Sequence, residues 1–551
     1  MNYEIIVETK NGQNVVGELD FSAEGTVKYP TATATIKHIK DCARADIFVD
    51  CTEPCFITVR GNYENGETHT FTGIKTSKGI FRQSPHNLKE YKIDTPKEAV
   101  PLAAVYSDGE FTCLMSDNPA VYNNYTTQTV CPEKRYIAVS SGDCGEVTGG
   151  TMTFEPYYHE NNKSFTVVMF KSKAANLSDM RKDVFYAIDE VFGTGEDSKF
   201  HSICFSSNYM HYRANETGSS KCWVVPGIDY CNYQYPRDAF WQSMIFSVEM
   251  EQQCYDGVYK GRYNYAESAL IFLIWSYRLK KRGGTPDEDR MYDALQYIKK
   301  HVRDGWYITG ESEQLALRSW YDICSFENDD SLTYNQGLYA AALIAADKLG
   351  MDTGLDAEQA VKNYNDMFLE KEGYFPISVK KPFIMCLDPT VGDLLAYVLF
   401  DKKLLDDEKV RIHYQTTYKA AKCEYGAKVT CRPDGSYNTL EDYSAYGICN
   451  EDLKTHTPGY YSWGGSYYIY EMLFHMAGYI HNVENAEENM IERSKLDFKI
   501  GGTYFEHINT ATGEGNKPNQ GWNCCVYPIW QLLIDKGIAN DRFFKEMDKL
   551  L

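Results

Sequence analysis

The chain has little positive charge to spare. Its 56 Lys and Arg face 77 Asp and Glu, a formal net charge of −21. Nucleic acid and anionic membrane both call for a basic footprint, so this balance argues against either as a partner. Long apolar runs are also missing, and no window approaches the ~18 consecutive apolar residues of a transmembrane helix. The opening MNYEIIVETK has no basic stretch followed by an apolar one, so no secretory signal is expected. The 17 cysteines are odd in number and mostly scattered singly. They are expected as reduced thiols of a cytoplasmic protein. Cys51 with Cys55, and Cys524 with Cys525, lack a second pair at zinc-site spacing, so no metal and no cofactor is expected. No repeat shows at solenoid periods, and oligomeric state carries no sequence signal.

Aromatic residues, by contrast, are plentiful: 14% of the chain, with 44 Tyr, 26 Phe and 8 Trp. Rings fill cores, and they are also the faces on which sugars stack. A length of 551 residues supports two or more domains with full cores. The chain changes character near residue 175. Before it, short alternating runs occur at Thr31–Ile39, Ala45–Val49, Phe56–Arg60, Thr68–Thr72, Tyr136–Ser140 and Phe165–Met169. Turn signals such as Asn65-Gly66 and Asp108-Gly109 separate them, which is the pattern of an antiparallel β-sandwich, expected over 1–172. Residues 174–193 read as one amphipathic helix, with Met180, Val184, Ile188 and Val191 at helical spacing and Gly193 as its stop. It is expected as a connector within 173–200.

From about 235 onward the segments are mostly helical, at 239–253, 265–281, 286–302, 335–349, 356–371, 392–402, 407–422, 464–480, 484–495, 520–535 and 540–550, and 201–551 is expected as one domain. Helical hairpins closing into an (α/α)6 toroid are the expected architecture, with the chemistry on the loops.

Four of those loops concentrate Trp, Tyr and carboxylates. In Pro226–Trp241, Arg237 and Asp238 precede an apolar helix; Asp238 suits a helix cap, but that role leaves Tyr230, Tyr233, Tyr235 and Trp241 unexplained. In Trp306–Asp330, the acids Glu311, Glu313, Asp322, Glu327, Asp329 and Asp330 stand beside Trp306, Trp320 and Tyr321. Asp329 and Asp330 fit helix-start acids. An acid flanked by rings can have its pKa raised by desolvation, as a general acid needs. In Pro458–Ser466, Trp463 lies between tyrosines and glycines, either as an exposed platform or buried in a tight turn. In Gly501–Tyr527, Glu506 follows Thr503-Tyr504-Phe505, and a polar loop leads to Gln520-Gly521-Trp522. Two acids on separate loops at one mouth are what glycoside hydrolysis requires.

These segments resemble the six-hairpin glycosidases, the (α/α)6 clan of glucoamylases, trehalases and debranching-enzyme glucosidases. Tyr235-Pro236-Arg237-Asp238 is similar to the clan's Trp-Pro-Arg-Asp, whose Arg-Asp pair holds the non-reducing sugar. Arg318-Ser319-Trp320-Tyr321-Asp322 is similar to its Thr-Trp-Met-Asp, whose Asp is the general acid. Phe505-Glu506-His507, Thr512-Gly513 and Gln520-Gly521-Trp522 resemble the segment whose Glu is the general base. Tyr460-Tyr461-Ser462-Trp463-Gly464-Gly465 is similar to the clan's Tyr-Trp-Arg-Gly, without its Arg.

The resemblance implies an inverting, exo-acting glycosidase on α-glucosides or oligosaccharides, with Asp322 as acid and Glu506 as base. Arg237 and Asp238 would hold the sugar, and Tyr235, Trp241, Trp320, Tyr321, Trp463, Gln520 and Trp522 would line the site. Glu311, Glu313 or Glu327 could displace Asp322, because the acid motif reads Trp-Tyr-Asp. Two alternatives remain: an inverting disaccharide phosphorylase, mildly disfavoured because the Gly513–Asn519 loop holds only Lys517, and a non-catalytic sugar-binding toroid.

Overall fold

A computed structural model describes the chain except for residues 10, 71–73, 77–78, 82–101, 117–127, 142–145, 149–150, 154–162, 176, 218–223, 225, 228–234, 259–266, 310–318, 322–323, 325, 444–457 and 502–503. Two compact units emerge. One is Met1–Gln234 with Pro518–Gly521 and Leu551, and the other is Tyr235–Lys517 with Trp522–Leu550.

Two antiparallel sheets form the first unit's core. The seven-stranded sheet runs in the order Gly25–Lys28, Ala32–Ile39, Cys42–Val49, Ser164–Ser172, Glu110–Ser116, Leu102–Ser107 and Glu67–Thr70. The five-stranded sheet runs Gln128–Cys131, Tyr136–Ser140, Cys55–Asn62, Asn2–Thr9 and Gly12–Leu19. The alternating TATATIKHI stretch points Ala32, Ala34 and Ile36 inward, as a period of two requires. There they share one core with Ile5, Val7, Ile57, Val59, Ile137 and Val139 of the other sheet.

The expected amphipathic helix is present as Leu177–Phe192. A second helix, Lys199–Thr217, packs on it. Its sequence offers no apolar stripe, because nearly every described residue from 200 to 212 is buried.

Among the described residues of the second unit, twelve helices form six pairs joined by short connections: 236–243 with 248–257, 268–281 with 288–300, 333–349 with 357–366, 391–400 with 407–421, 468–480 with 486–501, and 526–535 with 542–550; a single turn, Leu440–Tyr443, stands outside the pairs. The segment expected as one helix over 239–253 is two. The first ends at Ser243, and Ser247 caps the second by accepting the Met250 N–H. The first members of the pairs pack on one another in chain order: 236–243 on 268–281, then 333–349, 391–400, 468–480 and 526–535. The longer stretches between pairs, such as 301–332, 367–390 and 422–467, lead into the N-termini of these helices, and that end of the row gathers the residues described below.

One contact fixes two of these N-termini tightly. Helices Thr333–Leu349 and Val391–Phe400 meet backbone to backbone at Gly337 and Gly392, where a Cβ on Gly392 would lie 2.1 Å from the Gly337 carbonyl carbon. Backbone cannot swing aside as a flexible side chain can. Gly392→Ala is therefore expected to destabilise the protein by about 1–3 kcal/mol, read as a lower denaturant midpoint. An unchanged midpoint would show that the helices can separate without loss.

Candidate active site

Glu506 lies on the strand Phe505–Ile508, which pairs with Gly515–Pro518 in a two-stranded hairpin. The hairpin is anchored at both ends. Ile508 bridges to Ser466 just before the helix Tyr468–Ile480, and the Asn523 side-chain amide donates to the Phe505 carbonyl at 2.7 Å. The Glu506 carboxylate is 3% exposed. Lys517 of the partner strand places its ammonium 3.3 Å from Glu506 Oε2 and 5.5 Å over the Tyr461 ring. His507 Nδ1 lies 3.5 Å from the same oxygen, too long for a good hydrogen bond. The His507 ring is enclosed by Tyr460, Tyr461 and Tyr467 at 4.7, 5.6 and 5.5 Å.

A second charged group belongs to the first helix of the unit. Tyr235 occupies its N-cap with extended backbone, Pro236 supplies the fixed φ favoured at the first position, and Arg237 and Asp238 follow in the first turn. Asp238 is thus a buried first-turn acid, not the N-cap. The Arg237 guanidinium bonds Asp238 at 3.1 Å and Glu267 at 2.9 Å. It also lies 5.4 Å over the Trp522 ring. Glu267 occupies the N-cap position of the next helix, Ser268–Lys281, without a side-chain cap bond, and is fully buried. Burial raises its carboxyl pKa, against the pull of Arg237. Helix N-termini carry partial positive charge, so they suit this gathering of acids.

Burial also pushes the Asp238 carboxyl up to about 6; Arg237 opposes the shift and the charge of Glu506 adds to it. An unfolded Asp titrates near 3.9, so the native state holds this proton more tightly. Asp238 therefore contributes stability that is full below about pH 4 and is lost as pH rises through about 6. The stability of the wild type relative to Asp238→Asn should fall across that window and then level. Thermal unfolding of both proteins from pH 4 to 8 reads this, and a pH-independent difference would contradict it.

Aromatic rings join these two groups to a third. Trp522 meets Tyr467 at 6.2 Å and Tyr470 at 5.9 Å, both edge-on. Tyr470 stacks on Trp320 at 4.0 Å. Trp320 and its neighbour Tyr321 both donate to the buried Asp388 carboxylate, two residues before the cap of the helix Val391–Phe400.

The structure thus brings together Arg237, Asp238, Trp320, Tyr321, Glu506 and Trp522 of the residues expected from sequence. Trp463 is not an exposed platform. It is buried in a tight turn, its indole donates to the Asn438 carbonyl, and its ring partner is Tyr443. The neighbouring tyrosines of that turn reach His507. Trp241 is buried against Phe240. Gln520 is buried in the segment grouped with the first unit, where the Gly521 N–H donates to the Pro226 carbonyl. Asp322, Glu311, Glu313, Tyr230 and Tyr233 lie outside the described residues. Of the other acids in that loop, Glu327 is exposed and pairs with Lys380, and Asp329 pairs with Arg303. Asp330 is buried and accepts the Lys380 N–H.

Sequence reasoning missed Glu267, Asp388, Tyr467 and Tyr470, and did not link Lys517 to Glu506. The available signals were slight: an acid before an apolar helix at Glu267 and Asp388, and a Tyr pair at helical spacing. Among the described residues, no cluster of three or more His, Cys, Asp or Glu is arranged to hold a metal ion.

No protein-family model and no curated protein matches the chain. Solved structures overlap it in part. A GH63 mannosylglycerate hydrolase from Thermus thermophilus, in complex with Tris, shares 9% identity over 58% of this chain and 98% of its own, with a TM-score of 0.39. An uncharacterised conserved protein from the same organism gives 9% identity, 60% and 100% coverage and a TM-score of 0.40. A structure described as a wild-type glycosidase gives 10%, 62%, 98% and 0.42. Overlaps this shallow leave the chemistry to be argued from the chain's own residues.

Proposed function

We propose that the protein is a glycoside hydrolase: an inverting, exo-acting enzyme of the α-glucosidase type acting on oligosaccharides. The observation that carries this reading is Glu506, a buried carboxylate with Lys517 at one side, the Arg237–Asp238–Glu267 cluster close enough for Glu506 to raise the Asp238 pKa, and Trp522 beneath Arg237. Charged hydrogen-bonding groups beside an aromatic face are what binds a pyranose: hydroxyls take the charges and the ring takes the C–H face. Among the described residues, Trp522 Nε1 and His507 Nε2 are buried without a hydrogen-bond partner, and buried polar atoms of this kind ask for a ligand or water. Sugar hydroxyls satisfy both.

In this reading Glu506 is the general base. It takes a proton from the water that attacks the anomeric carbon, and Asp322, next in sequence after Tyr321, protonates the leaving oxygen. Arg237 and Asp238 grip the terminal sugar. The row of six helices closes into an (α/α)6 toroid, with Arg237 on the first helix stacking on Trp522 just before the last. Lys517 is already opposed by Glu506, which supports water over phosphate as the nucleophile. A second assignment gives the acid role to Asp238, favoured by its pKa of about 6 and its closeness to Glu506.

A panel of p-nitrophenyl glycosides and short disaccharides, with and without phosphate, tests the reading. Phosphate-independent release of glucose from α-glucosides is expected. Turnover only with phosphate would make the enzyme a phosphorylase, and none on any glycoside would leave a sugar-binding toroid. Asp322→Asn and Asp238→Asn, run side by side on the active substrate, decide between the two acids.

A further inference from the structure

Asp388 is absent from every motif above, yet its carboxylate is among the most committed in the second unit. It is 1% exposed, and each oxygen accepts a different aromatic donor: Trp320 Nε1 at 2.7 Å on Oδ2, and the Tyr321 hydroxyl at 2.6 Å on Oδ1. The two donors are consecutive residues. For both to reach one carboxylate, the backbone at 320–321 must hold a single arrangement with both rings on the same side, and the rings do lie 4.0 Å apart. The carboxylate is held close to a fixed point, because it lies two residues before the N-cap of the helix pinned at Gly392 against Gly337.

The consequence passes outward through ring contacts. Trp320 stacks on Tyr470 and sits edge-on to Tyr467 at 5.3 Å. These two tyrosines are the rings that abut Trp522, the face under Arg237. A carboxylate whose oxygens are both engaged is poorly placed to give or take a substrate proton. Burial raises its pKa, while the bonds from Tyr321 and Trp320 hold the ionised form. Burial first, and then the same carboxylate, keep the Tyr321 hydroxyl protonated far above neutral pH, so that hydroxyl stays a donor.

We propose that Asp388 is a positioning residue of the sugar site, which uses one buried carboxylate to lock Trp320 and Tyr321 into the aromatic wall that continues through Tyr470 and Tyr467 to Trp522. The inference rests on the glycosidase reading and deepens it: the wall is a preset surface held by a charge, not a set of rings free to repack around each ligand.

A wall that contacts the sugar equally in the ground and transition states contributes uniform binding, so disturbing it raises KM more than it lowers kcat. The Trp320 indole can only donate, so the single oxygen of Asn at 388 faces it; the NH2 then faces the Tyr321 hydroxyl, which loses its charged acceptor and keeps at most a neutral bond with the direction reversed. The test is a kinetic cycle of wild type, Asp388→Asn, Tyr321→Phe and the double variant on the α-glucoside that the wild type turns over best. Asp388→Asn is expected to raise KM about tenfold or more, the scale of a lost hydrogen bond to a charged group, with kcat changed by less than about threefold. Tyr321→Phe should raise KM in the wild-type background and add little in the Asp388→Asn background, because the same lock is already broken.

If the effects of the two substitutions on KM multiply as independent changes, or if Asp388→Asn lowers the melting temperature while leaving KM at the wild-type value, Asp388 is a structural acid only and the inference fails while the glycosidase reading stands. Should Asp388→Asn not fold, Tyr321→Phe with Trp320→Phe completes an equivalent cycle from the donor side. A wild type that turns over no glycoside overturns the reading and this inference together.

Discussion

Glu506→Gln is expected to lower turnover of the preferred glycoside by about a thousandfold, with the melting temperature close to that of the wild type. Gln keeps the shape of the side chain and removes its basicity, and general-base catalysis commonly contributes about 10²–10⁴-fold. Such a loss in kcat with little change in KM marks an interaction made only on the way to the transition state. The same variant leaves the Lys517 ammonium beside a neutral amide. A partly exposed cation tolerates this, because Lys517 retains access to water. Stability therefore stays near wild type while chemistry fails. Circular dichroism and steady-state kinetics on one preparation separate the two effects, and a variant that keeps wild-type turnover removes Glu506 from the mechanism.

The second large effect is on stability. Arg237 is the ion-pair partner of the Glu267 carboxylate, and it also neutralises Asp238, all three being buried. Arg237→Ala strands two acids in a low-dielectric interior and removes the guanidinium from the Trp522 face. Breaking a buried pair from one side typically costs about 3–5 kcal/mol, so a lower denaturant midpoint is expected, together with loss of substrate binding. The triple variant Arg237→Met, Asp238→Asn, Glu267→Gln removes every charge of the cluster and should recover much of the lost stability without recovering binding. If the single variant is as stable as the wild type, the cluster is more hydrated than its burial implies.

Much of the architecture is legible in the sequence because its signals are local. The alternation in Thr31–Ile39 is a strand pattern within nine residues, and it is found as Ala32–Ile39. The helix expected over 407–422 is found as Asp407–Ala421, capped by Asp406. Asp238 and Glu506 stand out because they sit in dense aromatic motifs. What escapes is non-local or lacks contrast. Lys199–Thr217 is buried along most of its described length, so it has no polar face to give it a period. Glu267 and Asp388 are single acids at helix starts, and nothing nearby shows that one meets Arg237 thirty residues earlier or that the other meets Trp320 sixty-eight residues earlier. Trp463 looks like a platform because glycines flank it. The same glycines make the tight turn that buries it: Gly464 has φ +80°, and a Cβ on Gly465 would lie 2.4 Å from the Tyr461 carbonyl oxygen.

The measurement that bears most directly on a Glu506-centred inverting glycosidase is proton NMR of the sugar released in the first minutes from an α-glucoside. A water activated by Glu506 and attacking opposite the leaving group gives β-glucose first, followed by slow mutarotation. Appearance of α-glucose first would contradict the account, because it requires a covalent intermediate in which a carboxylate, not water, meets the anomeric carbon.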